Sequence, residues 1–201
     1  MRPSLSESGH KISYIYDDIY KCIIKFGAIP ISIYINDYKV AINQINLCKG
    51  IIIPGGDDFS FDDIRIINYL YDNNIPTLGI CLGMQSMAYI FNGKLVKINN
   101  HNNKKNYSHL VNINHDSIIY KIVKKDNILV NSRHEYGVID TDLDITGVSD
   151  DGIIEIVEDG KKTFFVGLEW HPESMIDYDI VSRKILEYFV RGSLNDFKRI
   201  N

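Results

Sequence analysis

The sequence predicts an α/β protein: a doubly wound, mostly parallel sheet with helices on both faces and extra short antiparallel strands in the second half. Three observations predict it. Short, continuous apolar runs recur in the first half, and segments of helical period lie between them. Beyond the polar stretch at residues 99–106, the pattern changes to short strands separated by Asn, Asp and Gly turns.

In order, Ile15, Ile19, Cys22 and Phe26 fall on one face of a helix. The β-branched run 28–35 predicts a strand, and the run 50–54, closed by Gly55-Gly56, predicts a second. Ile64, Ile67 and Leu70 space a helix; residues 75–81 predict a third strand; Met84, Met87, Ala88 and Phe91 mark a helix directly after Cys81. Short strands are expected around 110–113, 118–123, 128–130, 153–157 and 163–167. A last amphipathic helix carries Val181, Ile185, Tyr188 and Phe189.

The 201 residues carry 22 Lys and Arg against 26 Asp and Glu, a net charge of −4. That length predicts one domain, 1–201, with a full core. A mildly acidic chain has no electrostatic footprint for nucleic acid. No apolar run is long enough for a membrane span, and the polar first ten residues have no signal-peptide core. Cys22, Cys48 and Cys81 are too scattered for a disulfide framework and suit a reducing compartment, so a cytoplasmic protein is expected. His10, His101, His109 and His115 share no ligand-like spacing with carboxylates or cysteines, so no metal is expected.

The most informative stretch is Gly79-Ile80-Cys81-Leu82-Gly83. A cysteine between two glycines, where a strand gives way to a helix, has the pattern of a nucleophile elbow with Cys in place of Ser. The helix N-terminus there favours thiolate over thiol. A buried structural cysteine flanked by turn glycines reads equally well from this motif alone. His171-Pro172-Glu173 tips the balance. Proline pushes His171 away from the α region, and in an extended segment Glu173 projects to the same side and reaches the imidazole. A base oriented by a carboxylate, with a separate cysteine, is an activated-nucleophile arrangement. Pro54-Gly55-Gly56-Asp57 ends a buried strand, and its N–H groups, with that of Leu82, could form an oxyanion hole.

These three stretches, in this order and together with Met84-Gln85 and Glu169-Trp170, resemble a class I glutamine amidotransferase-type domain over nearly the whole chain. Within that superfamily the chain is most similar to the peptidase C26, or γ-glutamyl-hydrolase-like, branch, through Gly27-Ala28-Ile29-Pro30, Asn131-Ser132-Arg133-His134 and Trp170. Leu82 departs from it, since that branch often has Arg there. The resemblance implies a flavodoxin-like sheet and a cysteine hydrolase acting on small γ-glutamyl compounds through a γ-glutamyl thioester. Cys81 would be the nucleophile, His171 the acid and base, Glu173 its orienting carboxylate, and Gly56 and Leu82 the oxyanion donors. Gly55, Gln85, Ser132 and His134 would contact substrate, with no cofactor needed. The alternative it leaves open is a glutaminase subunit supplying ammonia to a synthetase partner. A non-catalytic binding module on the same fold is a third reading, against which the intact Cys, His and Glu count.

One element is missing from this pattern. Such folds open with an apolar strand inside the sheet, but Met1-Arg2-Pro3 stands where that strand should be ending, and residues 4–11 are polar apart from Leu5. Two expectations follow: either the true start lies upstream of Met1, or the neighbouring strands close up or expose an edge, with low solubility or a homodimer as the result.

Overall fold

The computed structural model describes residues 1–57, 60–103 and 105–197. Strands β1 (Arg2–Leu5) and β2 (Lys11–Tyr14) form an antiparallel pair of their own. The first ten residues therefore place no strand inside the main sheet. Helices α1 (Asp17–Lys25) and α2 (Tyr38–Ile45) follow, then β3 (Ile51–Ile53), α3 (Phe61–Asp72), β4 (Thr77–Ile80) and α4 (Leu82–Ile90). The second half holds β5 (Lys94–Lys97), β6 (His109–Ile113), α5 (Ile118–Val123), β7 (Asn127–Val130), β8 (Tyr136–Asp140), β9 (Asp144–Ser149), β10 (Ile154–Glu158), β11 (Phe165–Leu168) and α6 (Ile180–Leu194).

The main sheet runs β3-β4-β11-β10-β9-β6-β7, with β8 pairing β10 and β5. Strands β3, β4 and β11 are parallel, with Ile53 beside Gly79 and Leu168 beside Ile80. From β10 outward the pairing is antiparallel. Two cores sandwich the sheet. One packs Cys22, Phe26, Ile119, Ile185 and Phe189 from α1, α5 and α6 against Leu78 and Ile80. The other packs Ala41, Ile45, Ile67, Leu70, Met84 and Met87 from α2, α3 and α4 against Ile51 and Ile53. Helices on both faces explain why the parallel strands are apolar without alternation.

Two expected strands are corrected. Residues 28–35 are not a strand. Tyr34 N–H donates to the Gln44 side chain, the Ser32 carbonyl accepts from it, and the Ile33 carbonyl accepts from the Met1 amino group. Among the described residues β3 has no strand on its outer side, so this β-branched run has no ladder to join. Residues 118–123, also β-branched, are helical. The Ser117 hydroxyl caps α5 by accepting from Tyr120 N–H, and the buried Glu158 carboxylate accepts from the Ile118 and Ile119 N–H groups. Three helix-terminal donors are thus satisfied, which overrides strand propensity. Lys104, in the polar stretch, lies outside the described residues. Among the described residues no helix is long and apolar enough to cross a membrane.

Candidate active site

Cys81 stands between the end of β4 and the start of α4, at φ 50° and ψ −111°. This is a sparsely populated conformation for a residue with a side chain, and it turns the thiol out of the strand line. Close packing explains the flanking glycines. A Cβ at Gly83 would strike the Ile53 carbonyl, and one at Gly79 would strike Met87 and come within 2.9 Å of the Gly83 backbone. The Cys81 N–H is held by the Leu168 carbonyl at 2.8 Å, anchoring the elbow to β11.

Past the end of β11, the chain delivers His171 to the thiol. The Cys81 thiol and the His171 imidazole are close enough for each to shift the other's titration, and the Leu82 N–H acts on the sulfur in the same direction as the imidazole. His171 Nδ1 lies 2.7 Å from Glu173 Oε1, leaving Nε2 for the thiol. The His–Glu contact is not made across an extended segment as the sequence predicts. Residues Pro172–Ser174 form a 3-10 turn, and that turn brings Glu173 back under the ring. The Asn131 side chain grips the His171 backbone on both sides: Nδ2 donates to its carbonyl, and its N–H donates to Oδ1, each at 2.9 Å. Sequence reasoning used Asn131 only as part of a motif; its clamp on His171 carried no separate signal.

All three groups are buried, with Cys81 7%, His171 8% and Glu173 4% exposed. Burial pushes the Cys81 thiol up, against the pull of His171 and the Leu82 N–H. Burial also opposes charge on His171, but the Glu173 carboxylate and Cys81 outweigh it and hold the imidazole well above its ordinary range. The thiol and imidazole therefore titrate as a pair. Gly55 is packed against both, since a Cβ there would lie 2.8 Å from His171 Cε1 and 3.5 Å from Cys81 Cβ. Gly56 follows it, at the tip of the loop after β3.

The remaining residues predicted at the site join a buried polar network. Gln85 Nε2 donates to Glu169 Oε1 at 2.5 Å and to the Tyr136 carbonyl at 3.0 Å. His134 Nδ1 lies 3.0 Å from Glu169 Oε1, and the Ser132 hydroxyl donates to the His101 carbonyl. His134 is pushed up to about 9, burial opposing and the Glu169 carboxylate prevailing. Gln85, Ser132 and His134 thus spend these polar atoms on the protein itself. Glu169, which sequence reasoning named only in a motif, joins Gln85 to His134.

With this geometry in place, comparison with known proteins is direct. The family model for peptidase C26 matches residues 60–173, more than half of the chain. This chain belongs to the peptidase C26 family. It is thereby one of the glutamine amidotransferase-like hydrolases. A Schizosaccharomyces pombe protein provisionally named a glutamine amidotransferase is 32% identical, covering 90% of this chain and 83% of the relative. Anthranilate synthase component 2 of Cyanophora paradoxa is also 32% identical, covering 76% of this chain and 81% of that protein. The glutaminase domain of Trypanosoma brucei CTPS, solved with bound acivicin, shares the fold with a TM-score of 0.67 at 19% identity, covering 90% of this chain and 88% of that one.

Proposed function

We propose that this protein hydrolyses the γ-glutamyl amide bond of small γ-glutamyl compounds, with Cys81, His171 and Glu173 as its catalytic triad. The observation that carries the reading is the thiol–imidazole–carboxylate line at a strained elbow. The Cys81 thiolate attacks the γ-carbonyl, and the oxyanion is received by the Leu82 and Gly56 N–H groups. His171 protonates the departing amine, leaving a γ-glutamyl thioester on Cys81. It then takes a proton from water, whose attack releases glutamate and regenerates the thiol. Glu173 orients the ring throughout and stabilises its charged form. Gly55 lets substrate approach the sulfur. This chemistry routes no step through a metal or organic cofactor.

The test is a panel of γ-glutamyl amides, glutamine included, assayed on the lone protein for released glutamate. Turnover of a γ-glutamyl amine above that of glutamine supports the reading. Absence of glutamate release from every member overturns it. A second reading has its own support in the likeness to anthranilate synthase component 2 and to the CTPS glutaminase domain. On that reading the same triad supplies ammonia to a synthetase partner, and glutaminase activity appears only when the partner is added.

A further inference from the structure

Four side chains from four separate segments lie together beside Glu169: His101 after β5, His109 at the start of β6, His134 between β7 and β8, and Glu155 on β10. His101 and His134 are each 4% exposed and Glu155 is fully buried. Their inward atoms are close. His101 Nδ1 lies 3.2 Å from His134 Nε2 and 3.7 Å from Glu155 Oε1. Glu155 Oε1 is 2.9 Å from His109 Nε2 and 3.9 Å from His134 Nε2.

The outward nitrogens decide what the inward ones offer. His101 Nε2 meets Asp151 Oδ2 at 2.8 Å, and Ser149 in turn donates to that carboxylate at 2.6 Å. His134 Nδ1 meets the Tyr136 carbonyl at 2.8 Å as well as Glu169. Facing acceptors, both outward nitrogens carry the proton in the neutral rings, so the inward nitrogens present lone pairs to one another and to a carboxylate oxygen. Among the described residues Glu155 Oε2 and Glu169 Oε2 have no hydrogen-bond partner. Converging lone pairs and part-satisfied carboxylates are costly in the interior unless a positive charge sits among them.

We propose that His101, His109 and Glu155, whose ligand atoms all lie within 4.8 Å of one another, form a three-ligand site for a zinc-class divalent cation, with His134 packed beside it. Tetrahedral Zn²⁺ with ligands at about 2.0–2.1 Å spaces their atoms about 3.3 Å apart, and the separations seen here fall on both sides of that spacing. Two imidazoles and one carboxylate suit Zn²⁺; Ca²⁺ and Mg²⁺ require more oxygen. The Asp151 contact to His101 is the outer carboxylate that metal-binding histidines characteristically have. These residues share no ligand-like spacing along the chain because they meet only through the sheet. Three protein ligands leave the fourth tetrahedral position to water. The bound cation ties the loop carrying His101 to β6 and β10. The alternative is a metal-free cluster held together by one additional proton on His134.

The test uses the full chain with Cys81→Ala, which removes the thiol as a competing ligand and makes the outcome independent of catalysis. Chelator-stripped protein is loaded with Zn²⁺, dialysed and measured for metal content and melting temperature, and a second sample is loaded with Co²⁺. Expected are one retained equivalent of Zn²⁺, a higher melting temperature, and the intense visible absorption of four-coordinate Co²⁺. Asp151→Asn, at a side chain 57% exposed and so tolerant of change, should weaken Zn²⁺ affinity about 10–100-fold. His101→Ala and His109→Ala should each abolish the retained equivalent. No retained Zn²⁺, a weak six-coordinate Co²⁺ spectrum, or unchanged affinity in folded Asp151→Asn would each overturn the proposal.

Discussion

At Cys81 the backbone is held where few side-chain-bearing residues sit, and the neighbouring glycines exist to permit it. Cys81→Ala should abolish turnover and thioester formation by intact-mass analysis, while Cys22→Ala and Cys48→Ala keep both. Cys22 is a fully buried thiol pushed up to about 12, chiefly by burial, which fits a packing role. Gly55→Ala places a methyl 2.8 Å from His171 Cε1, so kcat should fall at least tenfold through a displaced ring, with the fold retained by circular dichroism. Glu173→Gln removes the carboxylate that, with Cys81, raises His171. Since a raised pKa means that the ring keeps its proton to higher pH, its loss should move the alkaline limb of kcat/KM to lower pH. The accompanying rate loss should be on the order of 10²–10⁴-fold, read from the same pH–rate profile. The motifs made Cys81, His171 and Glu173 legible because each sits on a short local signature. Asn131 and Glu169 were not, because their partners lie 40 and 84 residues away in the chain.

Among the elements, periodicity and continuous apolar runs located β3, β4, α3, α4 and α6 without the structure. It failed where tertiary partners decide. The run 28–35 has strand composition but no ladder to enter, and 118–123 has strand composition but a helix cap waiting at each early N–H. Ser117→Ala should therefore cost about 1 kcal/mol, measured by urea denaturation, because it strands the Tyr120 N–H donor. Strands β1, β2, β5, β8 and β9 and helix α2 went unpredicted. Their apolar residues are too few or too mixed with polar ones to show a period within so short a span.

Across the whole molecule, the parallel strands β3, β4 and β11 bring three loops to one sheet end, and the glycine loop, the elbow and His171 meet there. The outer edge of β3 has no strand beside it among the described residues. Unpaired edges recruit partners, so the chain as given should associate with rising concentration, measured by light scattering across a dilution series. A mass that stays monomeric at every concentration would oppose this.

The position of Gly167 in β11 bears on how accurately the chain must fold. A side chain there would press within 2.7 Å of Met84 and 2.9 Å of Val157, yet its neighbours Val166 and Leu168 are both fully buried. Were β11 to pair with β4 one residue out of register, a bulky side chain would be driven into a slot sized for hydrogen. The same slip would turn Glu169 and His171, which lie two residues apart and so share a face, together to the opposite side, taking the imidazole away from the thiol. The glycine thus acts as a proofreading position: the misthreaded chain that would be chemically inert is also the one that cannot pack.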